Sequence, residues 1–202
     1  PFAELEKLQS ETIQRVLHDK SLKALLISEP TPTYTHGRNS NPGDLLWTKE
    51  RLESNGAQVF PVSRGGRWTY HGPGQIVVYP ILHLPTHGFY RLGVREFMHS
   101  LRKATQKALA LLGVVTQTGD NPFGVYVDGA KLVSFGLAFS KGISCHGLAL
   151  YIAPQHDRFR AIHPCGVLDG KMISLQELRP GISWEDAASV LTDFLKIDLK
   201  SP

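Results

Sequence analysis

Cys165 stands in His163-Pro164-Cys165-Gly166, where the proline restricts the residue before it and the glycine frees the one after, leaving a thiol on an irregular segment. Such a thiol can be exposed and act as a nucleophile through its thiolate. The competing reading is a buried structural cysteine, because free cysteine is among the most buried residue types. Cys145, the other cysteine, faces the same alternative and lies next to a strand-like run. Lys131 follows the turn dipeptide Asp128-Gly129 and opens an apolar run, a place for either a solvated turn lysine or an ammonium aimed into a site. Beside Cys165 its charge would stabilise a thiolate and lower a thiol pKa of about 8.5. A desolvated lysine can also exchange protons near neutral pH.

The stretch Arg64-Gly65-Gly66-Arg67-Trp68-Thr69-Tyr70-His71-Gly72-Pro73-Gly74-Gln75 sets glycines where a backbone can approach a ligand and polar side chains beside them to orient it. A plain surface turn between strands has the same composition. The stretch lacks the closing Gly-Lys-Ser/Thr of a phosphate-cradling loop, so nucleotide hydrolysis is not indicated. Nine histidines invite a metal reading, but there is no His-x-x-x-His pair or Cys-x-x-Cys element, and no metal is expected. His71 and His146 each precede a glycine and are candidates for orienting backbone or substrate, or else satisfied polar residues near the core.

The elements that must position these residues follow from periodicity. Leu5, Leu8, Ile13, Val16 and Leu17 predict a helix over residues 3–18, and Leu22 to Ile27 a buried strand. Residues 29–43 and 64–75 are rich in proline and glycine and are expected to be irregular, with a short helix from Asp44 to Ser54 and a strand from Gln58 to Val62. A strand at Ile76 to Tyr79 precedes the clearest helix, about residues 90–112. Strands are then expected at Gly124 to Val127, Leu132 to Phe139 and Gly147 to Ile152, joined by the hairpin dipeptides Asp128-Gly129 and Lys141-Gly142. Ser183 with Asp186 resembles a capping box before a last helix to about Leu195. Sequential hairpins flanked by helices give an α+β fold with a mixed, largely antiparallel β-sheet.

The chain has 202 residues, 42% hydrophobic, enough for one sizeable core. A charge of +4 without dense Lys/Arg clusters excludes a nucleic-acid footprint and suits mildly acidic protein partners. Two cysteines cannot staple a domain of this size, which points to an intracellular protein with reduced thiols. No apolar run approaches the ~18 residues of a membrane span.

Read together, these segments resemble the octanoyltransferases of lipoate biosynthesis, within the wider superfamily of lipoate and biotin protein ligases. The Arg64-to-Gln75 loop, Gly124-Val125-Tyr126-Val127 leading to Lys131 and Ser134-Phe135-Gly136, the stretch His146-Gly147-Leu148-Ala149-Leu150, and Pro164-Cys165-Gly166 carry the resemblance, which runs from Pro1 to about Leu178. It implies a single catalytic domain over residues 1–202, with the ligase-like mixed sheet flanked by helices. Cys165 would be the acyl-accepting nucleophile, with Lys131 lowering its pKa and shuttling protons. Arg64, Gly65, Gly66, Arg67, Trp68, Thr69, Tyr70, His71, Ser134, Phe135, Gly136, Gly147, Leu148 and Ala149 would line the acyl-substrate site, with His146 as an additional candidate. Tyr151 stands where the family usually has asparagine, and His36 where a small or apolar residue is more familiar, which bears on pocket shape and chain-length preference.

The resemblance also implies partners. Octanoyl would arrive on the phosphopantetheine arm of acyl carrier protein, and the acceptors would be lysines of the lipoyl domains of 2-oxoacid dehydrogenases and of the glycine cleavage H protein. No ATP, metal or other cofactor is expected, and no nucleic-acid or membrane partner. A monomer in the cytoplasm, or in mitochondria in a eukaryote, completes the expectation. Attack of the Cys165 thiolate exchanges one thioester for another, so little driving force is lost. Six buried methylenes of an octanoyl tail would contribute roughly 5 kcal/mol, enough to discriminate chain length. Three rivals remain: an ATP-dependent lipoate or biotin ligase, whose Ser-Gly-Gly-Gly-like loop ending in His-Asp is not matched here, a noncatalytic acyl-carrier-binding protein, and an acyltransferase that relays from one lipoylated protein to another with the same Cys/Lys chemistry and a different donor.

Overall fold

The computed structural model describes residues 1–90, 93–120, 123–163 and 171–199. Its main sheet is built from β1 (Lys23–Ser28), β5 (Gln75–Leu82), β6 (Gln117–Asp120), β7 (Phe123–Val127), β8 (Ala130–Ser140) and β9 (Ile143–Tyr151), in the order β1-β5-β9-β8-β7-β6. Every neighbouring pair in it is antiparallel. The two hairpin dipeptides are where they were expected. Asp128 and Gly129 have φ of 48° and 78°, Lys141 and Gly142 51° and 78°, the paired positive values of turns whose twist matches that of the strands.

A second sheet joins β2 (Thr33–His36), β3 (Gln58–Pro61) and β4 (Trp68–His71) in the order β3-β2-β4. β2 runs parallel to β3 and antiparallel to β4, which makes the fold mixed but largely antiparallel, as the hairpin pattern predicts. One face of the main sheet packs against α3 (Gly93–Leu111) and α5 (Trp184–Asp198), with Phe97, Leu101 and Leu191 at the centre. The other face meets α1 (Phe2–His18) and the small sheet, through Tyr34, Tyr70, Val77, Tyr79, Ala149 and Tyr151. Covered on both sides, β5 and β9 are buried at every residue.

Several expectations are corrected. Residues 29–43 hold β2, whose Thr-Tyr-Thr core favours a strand although prolines flank it, and residues 64–75 hold β4, a Trp-Thr-Tyr-His strand between glycine pairs. β6 is a polar, mostly exposed edge strand with no apolar alternation to reveal it. The helix expected over residues 44–54 is instead a 3₁₀ turn (Pro42–Asp44) and a shorter α2 (Lys49–Ser54), which starts where the Thr48 hydroxyl caps the Arg51 N–H. β9 begins at Ile143, four residues before the expected start, and contains Cys145. A further short helix, α4 (Leu175–Leu178), is capped by Ser174, and before α5 the Ser183 hydroxyl accepts from the Asp186 N–H at 3.0 Å and donates to Asp186 Oδ2 at 2.6 Å, one half of the expected box with a side-chain bond beside it. Among the described residues, no helix is long and apolar enough to cross a membrane.

Candidate active site

A narrow cleft of about 50 Å3 opens between the two sheets. Its floor is β5, β8 and β9, contributing Val77, Tyr79, Ser134, Phe135, Gly136 and His146 to Ala149, and its rim is the run Arg64 to Thr69 with His71. Of the fourteen residues expected to line an acyl site, only Tyr70 does not line the cleft. It shares the buried side of β4 with Trp68 but lies deeper in the core, where its ring packs against Tyr34 and Phe159 at centroid distances of 5.1 and 5.4 Å. Sequence reasoning missed Val77 and Tyr79, because a strand buried on both faces reads as a continuous apolar run with no sign of which side meets a ligand.

Arg64 holds the rim together. Its Nη1 donates to the carbonyls of Gly65 and Arg67 at 3.0 and 2.8 Å, and its Nη2 to the carbonyl and hydroxyl of Thr35 at 2.9 and 2.7 Å. Its stem lies over Gly136, where an added Cβ would stand 2.8 Å from Arg64 Cδ, so the glycine permits this close approach of rim and floor. Arg67 is anchored by an ion pair to the buried Asp44 at 3.0 Å. Trp68 tilts over His36 with centroids 4.8 Å apart, which gives the departure at His36 a structural role behind the cleft wall.

Both cleft histidines are neutral. Burial, with the Arg64 guanidinium second, pushes His71 down to about 3, against a hydrogen bond to Gln75 that pulls the other way. Burial followed by Arg64 and Arg38 pushes His146 down to about 4. Tyr151, the other departure, reaches from β9 to Ser134, with its hydroxyl 2.7 Å from the serine Oγ on the cleft floor.

Lys131 is 8% exposed, buried on β8 with its ammonium 5.5 Å from the Tyr126 ring centre, so it is not a solvated turn lysine. Cys165 lies outside the described residues. The residues on either side of its segment are fixed: the His163 N–H donates to the Asp44 carbonyl, beside Arg67, and Lys131 exchanges backbone hydrogen bonds with Lys171 and Ile173. Cys145 is buried and free, and burial and Glu6 raise its thiol pKa, so it is the structural cysteine of the two readings. Among the described residues no group of three or more His, Cys, Asp or Glu side chains gathers as a metal site would require.

Comparison with known proteins follows the same lines. The lipoyl protein ligase A/B catalytic domain family matches residues 3–196. An octanoyltransferase of Bacteroides fragilis is 34% identical over 187 residues, covering 88% of this chain and 83% of that protein. One from Methylococcus capsulatus is 39% identical over 160 residues, covering 79% and 72%. Among solved structures, the bipartite lipoate protein ligase of Thermoplasma acidophilum has a TM-score of 0.74 at 14% identity, over 95% of this chain and 78% of that one. A lipoate-protein ligase A bound with ATP also reaches 0.74, at 13% identity over 88% and 72%; at these identities the likeness is one of fold. With both sequence comparisons running over most of the chain, the protein belongs to the octanoyltransferase family and is an acyltransferase.

Proposed function

We propose that this protein takes an octanoyl group from acyl carrier protein onto Cys165 and passes it to a lysine of a lipoyl domain, on 2-oxoacid dehydrogenases or the glycine cleavage H protein. The observation that carries this reading is that β8 bears both Lys131 and the Ser134-Phe135-Gly136 floor of the cleft, while the backbone of Lys131 pairs with the chain just beyond the Cys165 segment. One strand thus carries a lysine and part of the floor of an acyl cleft, and that lysine's backbone pairs with Lys171 and Ile173.

In the first step the Cys165 thiolate attacks the carrier thioester, the tetrahedral oxyanion collapses, and the pantetheine thiolate leaves with a proton from Lys131. In the second, the acceptor lysine, an ammonium with an ordinary pKa of about 10.4, gives one proton to Lys131 to become the attacking amine and a second to solvent water as the tetrahedral adduct collapses to the amide and the Cys165 thiolate leaves. Val77, Leu148, Ala149 and Phe135 supply the apolar surface an alkyl tail requires. Neutral His71 and His146 add no charge beside it.

The test is incubation with octanoyl-acyl carrier protein without ATP, followed by intact mass. A hydroxylamine-labile octanoyl adduct is expected on the wild type and absent from Cys165→Ala, and Lys131→Met should slow its formation at least a hundredfold, the usual range for loss of an acid/base group. An adduct that survives Cys165→Ala would overturn the nucleophile assignment. Transfer from free octanoate that requires ATP would move the protein to the ligase chemistry.

A further inference from the structure

Strict alternation along β8 would send the Lys131 side chain into the core beside Val127. The pairing of β8 with β7 prevents it. Gly124 faces Ser134 and Val125 faces Val133, and then the register slips, so that Tyr126 faces Lys131 and Leu132 is passed over. Leu132 and Val133, neighbours in sequence, both lie fully buried in the apolar core under α3 and α5. This bulge reverses the side on which Lys131 emerges and brings it onto the cleft face, in line with Tyr126. The lysine stem then crosses Gly124, where an added Cβ would stand 3.2 Å from Lys131 Cε. Gly124 is the cross-strand neighbour of Ser134 on the cleft floor, so the stem passes about 5 Å, one pair spacing, from that serine.

The ring of Tyr126 has a seat made for it. Gly119 on β6 and Gly124 on β7 face one another, and the ring lies over both. A Cβ on Gly119 would stand 2.6 Å from Tyr126 Cε2, and one on Gly124 2.9 Å from the same atom. Two facing glycines thus leave a flat place that side chains would fill. The Lys131 ammonium stands over the seated ring, 5.5 Å from its centre and within cation–π range, on a lysine that is 8% exposed. Neither acyl-transfer step gives Tyr126 a part.

We propose that Tyr126 is a positioning residue acting through Lys131: its ring, seated on Gly119 and Gly124, holds the ammonium at the Ser134 end of the cleft and steadies the positive charge as Lys131 takes the acceptor's proton. The inference rests on reading Lys131 as the proton carrier of the transfer. In that second step an N–H bond of the acceptor ammonium breaks, an N–H bond forms on Lys131, and the positive charge moves onto a buried nitrogen. Burial disfavours a charge there, and the negative face of the ring offsets that penalty. In the first step Lys131 gives its proton up, so the ring's attraction for the charge does not speed acylation.

The test follows single turnovers from octanoyl-acyl carrier protein to a lipoyl domain, with rates taken per acylated enzyme so that any misfolded fraction drops out. Tyr126→Phe keeps the ring face and should transfer within about twofold of the wild type, while Tyr126→Leu should slow transfer about five- to thirtyfold, the range of a desolvated cation–π contact. Adding one and then three fluorines to the ring of Tyr126→Phe drains the π face and keeps the ring's shape. Along that series transfer should slow stepwise while acylation does not. Gly119→Ala, on a mostly exposed edge strand, lifts the ring from its seat and should slow transfer as well. A series with flat transfer rates, a series that slows acylation and transfer alike, or a Gly119→Ala protein as fast as the wild type would each overturn the proposal. Full transfer by Lys131→Met would overturn the reading of Lys131 as the proton carrier instead.

Discussion

Gly136 and Gly147 are both small residues in the cleft floor, but what stands over each differs, and so should the cost of enlarging them. A Cβ on Gly136 would meet the Arg64 stem at 2.8 Å, and that stem is tethered by four hydrogen bonds, so Gly136→Ala should cost about 1–3 kcal/mol in urea denaturation and raise KM for the octanoyl donor. A Cβ on Gly147 would run into the Val78 carbonyl and the Pro80 ring of β5, neither of which can swing aside. Gly147→Ala should therefore be the more damaging, at roughly 3 kcal/mol or beyond. Equal costs would mean that the rim is looser than its hydrogen bonds imply.

At the scale of elements, the short helix α4 fixes the chain that pairs with Lys131. Its capping box has Ser174 N and Oγ donating to Glu177 Oε2 at 2.7 and 2.6 Å, with Glu177 N donating back to Ser174 Oγ at 3.3 Å, and the preceding Ile173 N–H donates to the Lys131 carbonyl. Ser174→Ala should cost about 1 kcal/mol and lower transfer activity by loosening that pairing. The bonds from Ser174 hold the Glu177 carboxyl below its ordinary 4.5, so the unfolded chain takes up that proton first. This stabilisation is present above 4.5 and is lost as pH falls through the lower folded value. Thermal melts of wild type and Ser174→Ala should consequently differ most at neutral pH and converge in acid.

For the whole molecule, buried histidines govern acid stability. His71 and His146 hold folded values of about 3 and about 4, below the ordinary 6.5, so the unfolded chain binds their protons first and stability is lost as pH falls from 6.5 towards 4. Glu6 acts oppositely: it keeps its proton up to about 7 in the fold but loses it near 4.5 when unfolded, so its contribution declines as pH rises between those values. Two histidines against one carboxyl leave Tm rising from pH 4.5 to 6.5. His71→Gln should flatten that rise, and an unchanged profile would show that His71 is solvated. The sequence alone carries the α+β class, the two hairpins and fourteen of the sixteen cleft-lining residues, His146 among them, because apolar periodicity, Asp-Gly and Lys-Gly turns and motif order are local properties of the chain. It could not separate a solvated from a buried Lys131, set Tyr70 deeper in the core, add Val77 and Tyr79 to the cleft, or join Gln9 and Ser63 to His146. Those depend on strand alternation and on contacts between residues as far apart as Gln9 and His146, which exist only once α1 and the rim loop have packed against the sheet.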